Sequence, residues 1–149
     1  MKKLPLTDPE TVHFTKMVKK INLFASMNMG LMEKILHRIS YYQYDSGEKV
    51  CKEGDPGGTF YVVSEGKLKV SRKTGFLLSR TLAVLEAGDC FGEMALLDRK
   101  PRNATVSCQE PSRIFVLTAD QFDQVIGENP AFKQEIKKLA SGRARTEID

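Results

Sequence analysis

The apolar residues between positions 41 and 117 come in short runs or alternate with polar residues, as in YYQY, TFYVVS, KLKVSR and RIFVL. The turn sequences DSGE, EGDPGG, SEGK and EAGD separate these runs. Glycine can adopt backbone angles that other residues avoid. Many short strands at close, fairly even spacing are typical of an all-β barrel or jelly roll. We therefore predict a β-barrel core over residues 41 to 117.

Two helices are predicted before the barrel, over an N-terminal helical segment of residues 1 to 40. The first covers residues 9 to 20, after a cap at Thr7 or Asp8, and its apolar face consists of Phe14, Val18 and Ile21. The second runs from about Gly30 to Ile39, with Asn28 as its candidate cap, and keeps the same helical period.

Two further helices are predicted after the barrel, over residues 118 to 149. Thr118 and Gln121 form a capping-box pattern, and Gly127 suits the end of this helix. Asn129 and Pro130 begin another helix, whose apolar stripe consists of Phe132, Ile136 and Leu139. A chain of 149 residues suits one compact domain. We expect all three segments to belong to it.

The net charge of +4 comes from the N-terminal part of the chain. Residues 1 to 40 carry seven Lys and Arg against three Asp and Glu, whereas the rest balances at sixteen against sixteen. Such a basic face is compatible with a membrane surface or an acidic partner, and it is more often simply solvated. No nucleic-acid-binding module follows the barrel, so we expect no nucleic-acid partner.

The three cysteines, Cys51, Cys90 and Cys108, are far apart and form no CxxC pair. We interpret them as free thiols in a reducing compartment. The N-terminus has no apolar signal-peptide core, and no window approaches the length of a transmembrane helix. We therefore expect a cytoplasmic protein.

Both histidines, His13 and His37, precede the barrel. A His-based metal site among the strands is therefore unavailable. No His within the barrel could activate a Ser or Thr nucleophile either. We expect no metal, no cofactor and no enzymatic activity.

The stretch FGEMALLDRKPRNATV, residues 91 to 106, places Glu93 and Arg102 beside residues that look interior. Charged side chains are rarely buried unless they are paired or bind something. One interpretation is a Glu93–Arg102 salt bridge that fastens a loop. The other is a binding site, because a guanidinium suits two phosphate oxygens and a carboxylate accepts from a ribose hydroxyl.

The same stretch predicts a short helix over residues 92 to 97. Gly92 allows close approach of the backbone to a ligand. The free N–H groups at Glu93, Met94 and Ala95 would then form an anion site at the helix start. A site with N–H donors for an anion and one acceptor for a hydroxyl group suits a phosphorylated sugar.

Residues 91 to 106 and the segment VCKEGDPGGTFYVVSEGKLKV, residues 50 to 70, resemble two signatures of one family. The chain is similar to the cyclic nucleotide-binding domain, the module of cAMP-dependent kinase regulatory subunits, nucleotide-gated channels and bacterial catabolite-type regulators. The resemblance covers roughly Ile21 to Leu139. It implies a mainly β fold, a double-stranded β-helix (jelly-roll) barrel with an inserted phosphate-binding helix, N-terminal helices and two C-terminal helices.

In this family the residue at the position of Arg102 pairs with the cyclic phosphate, and the one at Glu93 accepts from the ribose 2′-OH. We call residues 91 to 106 the cassette, after the family's phosphate-binding cassette. The resemblance implies a ligand-binding set of Phe91, Gly92, Glu93, Met94, Ala95, Arg102, Asn103, Ala104 and Thr105. The implied ligand is cAMP or cGMP.

The resemblance also implies a switch in the C-terminal helices. Leu96 is similar to the family's relay leucine, and with Phe122 it would carry ligand occupancy to those helices. Alternatively, Leu96 is plain core. The family caps the purine base from the last helix, for which the candidates are Phe132, Ile136 and Leu139. For at least two of these three residues, packing over the barrel is the more common role of apolar residues at helical spacing.

Asn103 departs from the family pattern. Many cAMP binders have Ala or Ser at this position, and many cGMP binders have Thr. We expect a non-catalytic sensor that prefers cAMP to cGMP and regulates an unidentified effector protein or downstream domain. The alternatives are a cyclic dinucleotide binder, a ligand-free interaction module of the same fold, and a fragment of a catabolite-type regulator.

Overall fold

A computed structural model describes residues 1 to 142 of the chain. Nine strands form its β core, namely β1 (Lys2–Leu4), β2 (Ser40–Tyr44), β3 (Lys49–Cys51), β4 (Thr59–Glu65), β5 (Lys67–Lys73), β6 (Ser79–Glu86), β7 (Cys90–Phe91), β8 (Thr105–Cys108) and β9 (Ser112–Thr118). Six helices accompany them, namely α1 (Asp8–Val18), α2 (Asn22–Ala25), α3 (Met29–Leu36), α4 (Ala95–Asp98), α5 (Ala119–Ile126) and α6 (Pro130–Gly142).

The strands form two antiparallel sheets, in the orders β1-β2-β9-β4-β7 and β3-β8-β5-β6. One apolar cluster includes residues of both sheets, among them Val63 and Ile114 from the first and Val70 and Val106 from the second. The core of the barrel therefore lies between the sheets. This architecture confirms the predicted jelly roll.

The helices pack on the outer face of the five-stranded sheet. Phe60, Phe115 and Leu117 share an apolar cluster with helical residues, whereas Val63 and Ile114 on the same strands belong to the barrel cluster. Successive side chains of a strand point to opposite faces. Strands β4 and β9 are thus buried on both faces, which places them between the barrel core and the helical layer.

The N-terminal helices form where their caps predict, with shifted ends. Helix α1 begins after Thr7, which forms a capping box with Glu10, and ends two residues before the predicted end. Helix α3 begins after Asn28, whose Oδ1 accepts the Leu31 N–H at 2.8 Å. It ends before the predicted Ile39, because the chain enters β2 at residue 40. Strand β1 and helix α2 were not predicted, since three or four residues show no period.

The C-terminal helices also begin at their predicted caps. The Gln121 N–H donates to Thr118 Oγ1 at 3.2 Å, and the Thr118 N–H donates to Gln121 Oε1 at 3.0 Å. Asn129 Oδ1 accepts the Phe132 N–H at 3.0 Å and caps α6. The side chain of Leu139 lies outside the part that the structure describes. Among residues 1 to 142, no helix has the length and apolarity needed to cross a membrane.

Candidate functional site

The cassette connects β7 to β8 through a turn and the four-residue helix α4. The predicted helix over residues 92 to 97 was wrong in its bounds, because α4 begins at Ala95. The Ala95 N–H donates to the Gly92 carbonyl at 3.1 Å. This N–H group is therefore used within the turn, and the prediction that it would be free for an anion was wrong.

Gly92 allows the Arg102 guanidinium to approach the backbone. Its φ is 84°, a left-handed conformation that favours glycine. A Cβ at this position would lie 2.8 Å from both Nη atoms of Arg102 and would also clash with the Thr59 carbonyl oxygen. The residue that approaches Gly92 closely is thus Arg102 itself.

Arg102 is buried, with only 5% of its surface exposed. Its Nη2 donates to the carbonyl oxygen of Thr59, and its Cζ lies 5.5 Å from the centroid of the Tyr61 ring. Its Nη1 has no hydrogen-bond partner among the residues that the structure describes. A buried donor without an acceptor costs free energy. Nη1 therefore suits an oxygen acceptor from outside the described residues.

Two polar neighbours of Arg102 are kept neutral. Burial raises the pKa of the Tyr61 phenol and of the Cys51 thiol, and the positive charge of Arg102 opposes this rise only in part. At neutral pH neither group is ionised, so neither supplies a counter-charge. Tyr61 offers its ring face instead, and it stacks on Phe91 with 4.7 Å between ring centroids.

The segment EGDPGG, residues 53 to 58, holds the backbone of Arg102 on both sides. We call it the Gly-rich turn. The Gly54 N–H donates to the Arg102 carbonyl at 2.8 Å, and the Arg102 N–H donates to the Asp55 carbonyl at 2.8 Å. The Gly57 α carbon lies so close to Lys100 that a Cβ there would overlap the Lys100 carbonyl. The sequence identified this turn as a signature but gave no sign that it fixes Arg102.

The other predicted binding residues lie around this centre. Glu93 is 7% exposed, and Ala104 is also buried. The Asn103 carbonyl accepts from Arg72 Nε at 2.9 Å, and the Thr105 hydroxyl accepts the Glu53 N–H at 2.9 Å. Met94 is half-buried and Ala95 is buried. The cassette thus contains buried small residues beside two buried charged residues, and the Thr105 hydroxyl connects it to the Gly-rich turn.

The predicted switch residues meet in the helical layer. Leu96 belongs to one apolar cluster with Phe122, Phe132 and Ile136. All four are buried. Phe132 and Ile136 are therefore buried within the helical layer in this arrangement, and stacking on a nucleotide base would require them to move.

Arg99 is a further link between the cassette and α5 that sequence reasoning missed. It has a left-handed φ of 54°, and its guanidinium pairs with Asp120 at 2.9 Å and with Asp123 at 2.6 Å. The hydrogen bonds to Asp123 and then Asp120 raise the pKa of Arg99. The only signal in the sequence is the i, i+3 spacing of the two aspartates, which puts them on one helix face.

A metal centre is not formed by the described part of the chain, since residues 1 to 142 bring no three His, Cys, Asp or Glu side chains together in a suitable group. In the part of the chain that the structure describes, Cys51, Cys90 and Cys108 form no disulfide bond.

Known proteins resemble this chain in sequence and in fold. A cyclic GMP-dependent protein kinase of Caenorhabditis briggsae is 28% identical over 79% of this chain and 16% of its own length. The cyclic nucleotide-gated channel alpha-2 of Rattus norvegicus is 29% identical over 90% of this chain and 20% of its own length. The chain thus spans about a sixth to a fifth of these relatives.

A solved structure of the Toxoplasma gondii PKA regulatory domain with cAMP has the same fold. It superposes with a TM-score of 0.68 at 22% identity, over 89% of this chain and 50% of the other. The family profile described as the cyclic nucleotide-binding domain matches residues 42–129, more than half of the chain. The chain therefore belongs to the cyclic nucleotide-binding domain family, in its regulatory kind.

Proposed function

We propose that this domain is a non-catalytic sensor that binds a cyclic purine mononucleotide, with cAMP favoured over cGMP. The observation that carries the proposal is the buried Nη1 of Arg102, which has no hydrogen-bond partner among the described residues. A cyclic phosphate has a negative charge and exocyclic oxygens. It would give this nitrogen an acceptor and the guanidinium a counter-ion.

The surroundings of Arg102 favour phosphate binding because they hold the cation in place before a ligand arrives. Backbone bonds from the Gly-rich turn fix the Arg102 main chain, and the Thr59 carbonyl fixes Nη2. A preorganised charge-assisted contact loses little entropy on binding. Tyr61 and Cys51 stay neutral and do not compete with a phosphate.

Glu93 is proposed to accept a hydrogen bond from the ribose 2′-OH. It is buried, and it directly follows Gly92, the residue on which the Arg102 guanidinium lies. A carboxylate is an acceptor and a hydroxyl is a donor. Phosphate and ribose would thus be bound by two residues of one cassette. The rest of the pocket would be formed by Phe91, Gly92, Met94, Ala95, Asn103, Ala104 and Thr105.

Position 103 has neither the Thr found in many cGMP binders of the family nor the Ala or Ser found in many cAMP binders, and the amide of Asn103 can both donate and accept a hydrogen bond. Relatives named for both nucleotides are among those described above. We expect Asn103→Thr to shift the ratio of cAMP to cGMP affinity toward cGMP, and Asn103→Ala to shift it away. Calorimetric titration of both variants with both nucleotides measures the ratio. If neither substitution changes it, Asn103 does not contact the base.

Ligand occupancy is proposed to move α5 and α6 through Leu96 and Phe122, and to act on an effector protein or a downstream domain in the cytoplasm. Leu96 packs in the same cluster as the C-terminal helices, and Arg99 pairs the end of α4 with α5. The nucleotide shifts the helices only as far as it binds one arrangement more tightly than the other.

The test is calorimetric titration of the purified chain with cAMP, cGMP and a cyclic dinucleotide, after removal of any co-purified nucleotide. Saturable binding of a mononucleotide with a preference for cAMP supports the proposal. A preference for cGMP or for the dinucleotide overturns the assigned ligand. Binding of none of the three overturns the sensor function and leaves an interaction module of the same fold.

A further inference from the structure

The hairpin between β5 and β6 ends in a short apolar tip. Strand β5 ends at Lys73 and β6 begins at Ser79, and these two residues pair in the sheet register. The Thr74 N–H donates to the Leu78 carbonyl at 3.0 Å, which extends the hydrogen bonding between the two strands by one residue on each side. Residues 74 to 78, which we call the tip, therefore form a compact loop of defined shape.

The three apolar side chains of the tip are exposed. Phe76 is 96% exposed, Leu77 is 86% exposed and Leu78 is 70% exposed. A Cβ added at Gly75 would meet no atom within 4 Å, so the tip projects away from the rest of the domain. Isolated exposed apolar residues are ordinary, but a contiguous group on a projecting loop marks an interaction site.

Basic residues flank the tip on both strands. Between positions 69 and 85 the sequence has four cations, Lys69, Arg72, Lys73 and Arg80, and no Asp or Glu. Lys73 and Arg80 are exposed. An acidic residue, Glu53, lies where the tip joins β5, and its carboxylate accepts the Lys73 backbone N–H at 3.1 Å. The charge around the tip is therefore predominantly positive.

The order of these groups along the hairpin matches a membrane surface. A strand rises about 3.4 Å per residue, so Lys73 and Arg80 lie about 7 to 14 Å behind the apex of the tip. Apolar groups that enter a bilayer from its surface reach about 5 to 10 Å, to the boundary between headgroups and acyl chains. Cations set back by this distance would lie among the headgroups, where anionic lipids attract them.

We propose that the tip inserts Phe76, Leu77 and Leu78 into the surface of an anionic lipid bilayer, with Lys73 and Arg80 in contact with the headgroups. The cations favour an anionic surface over a neutral one. The end of the hairpin next to the tip is connected to the cassette, because Arg72 Nε donates to the Asn103 carbonyl. Insertion would therefore hold the domain at the membrane without any transmembrane segment. This inference does not depend on which nucleotide the domain binds.

The first test is sedimentation of the full chain with vesicles of phosphatidylcholine and phosphatidylserine, beside vesicles of phosphatidylcholine alone. We expect stronger binding to the anionic vesicles. The double variant Phe76→Ser with Leu77→Ser should lose at least tenfold in vesicle affinity. The double variant Lys73→Glu with Arg80→Glu should lose at least as much, since each cation near an anionic surface contributes about fivefold.

Matched controls lie in the helical layer, away from the hairpin. Val12→Ser removes an exposed apolar side chain from α1, and Lys20→Glu reverses an exposed cation just after α1. Both should leave vesicle affinity unchanged. Equal losses in controls and tip variants would overturn the proposal in favour of a general charge effect. Failure of the unsubstituted chain to sediment with the anionic vesicles would overturn membrane insertion and leave an acidic protein groove as the partner.

The second test uses the absence of tryptophan from the sequence. Phe76→Trp places a single tryptophan at the tip, and Val12→Trp places one on α1 as a control. Addition of anionic vesicles should shift the emission of the tip variant to the blue and allow quenching by brominated acyl chains, because the indole leaves water. An unshifted, unquenched emission in a variant that still sediments would overturn insertion by the tip.

Discussion

Arg102 and Phe76 depart from the ordinary rule of burial in opposite directions. Arg102 is a permanent cation that is 5% exposed, whereas Phe76 is an aromatic residue that is 96% exposed. Burying a charge without a counter-ion costs free energy, and leaving an aromatic ring in water forgoes the gain from its burial. We propose an anion as the partner of the buried cation and an apolar phase as the partner of the exposed ring.

The two regions also differ in how they are held. The backbone of Arg102 is bonded on both sides by the Gly-rich turn, and Nη2 is bonded to Thr59. Beyond the last strand pair, a backbone hydrogen bond between Thr74 and Leu78 closes the tip. A rigid site suits selective recognition of a small ligand, while a projecting tip suits a deformable surface. Substitutions in the two regions should therefore change different properties.

Removal of the buried cation is the largest expected effect. Arg102→Ala should weaken cAMP binding about a hundredfold or more, because it removes the charge-assisted hydrogen bond from Nη1, which contributes about 1.5–3 kcal/mol, together with the positive charge that would pair with the phosphate. The fold should persist. Calorimetric titration measures the affinity, and Arg113→Ala, an exposed arginine that pairs with Glu65 at 4.0 Å, is the matched control. Unchanged affinity in the folded Arg102→Ala protein would refute the phosphate assignment.

Addition of one methyl group at Gly92 tests how closely the buried cation is packed. Gly92→Ala should lower the free energy of unfolding by about 2–3 kcal/mol, through the left-handed φ and the clash with Thr59. Gly88→Ala is the control, because Gly88 has a φ of 93° and open space around its α carbon. It should lose only about 1 kcal/mol. Equal losses in urea denaturation would show that the approach of Arg102 is not tight.

Neutralisation of Glu93 has a smaller expected effect on binding. Glu93→Gln keeps the shape but weakens the acceptor, so affinity for cAMP should fall about tenfold. The 2′-deoxy analogue should bind the wild type correspondingly weakly and lose little more in the variant. Titration of both proteins with both ligands forms a double-mutant cycle. If the wild type binds the 2′-deoxy analogue as tightly as the parent nucleotide, Glu93 does not bind the ribose hydroxyl.

Removal of the exposed ring should hardly affect stability. Phe76→Ser should change the free energy of unfolding by less than about 0.5 kcal/mol, since the side chain gains almost nothing from the folded state. The matched control is Phe122→Ala, which removes a fully buried ring and should cost about 3–5 kcal/mol. A loss of more than about 1 kcal/mol on Phe76→Ser would mean that the tip packs on the domain, and it would contradict the membrane proposal.

Local patterns predicted most of the elements. Alternating residues gave strands β4, β5 and β9, and the caps at Asn28, Thr118 and Asn129 are present as hydrogen bonds. Caps and alternation involve residues a few positions apart, so they can be recognised in the sequence. The bounds of α4 were predicted wrongly, because the turn from Gly92 to Ala95 forms its own hydrogen bond. The tip was also missed, since the run FLL resembles the interior of a strand.

The sequence by itself determined the jelly-roll class, the family resemblance and the choice of Arg102 and Glu93 as candidate ligand contacts. Only the tertiary structure decided that Nη1 of Arg102 has no partner among the described residues, that residues 53 to 58 hold this arginine, and that Phe76 is exposed. Burial and hydrogen-bond satisfaction depend on every segment that packs around a group. These segments are distant in the sequence, so no local pattern reports them.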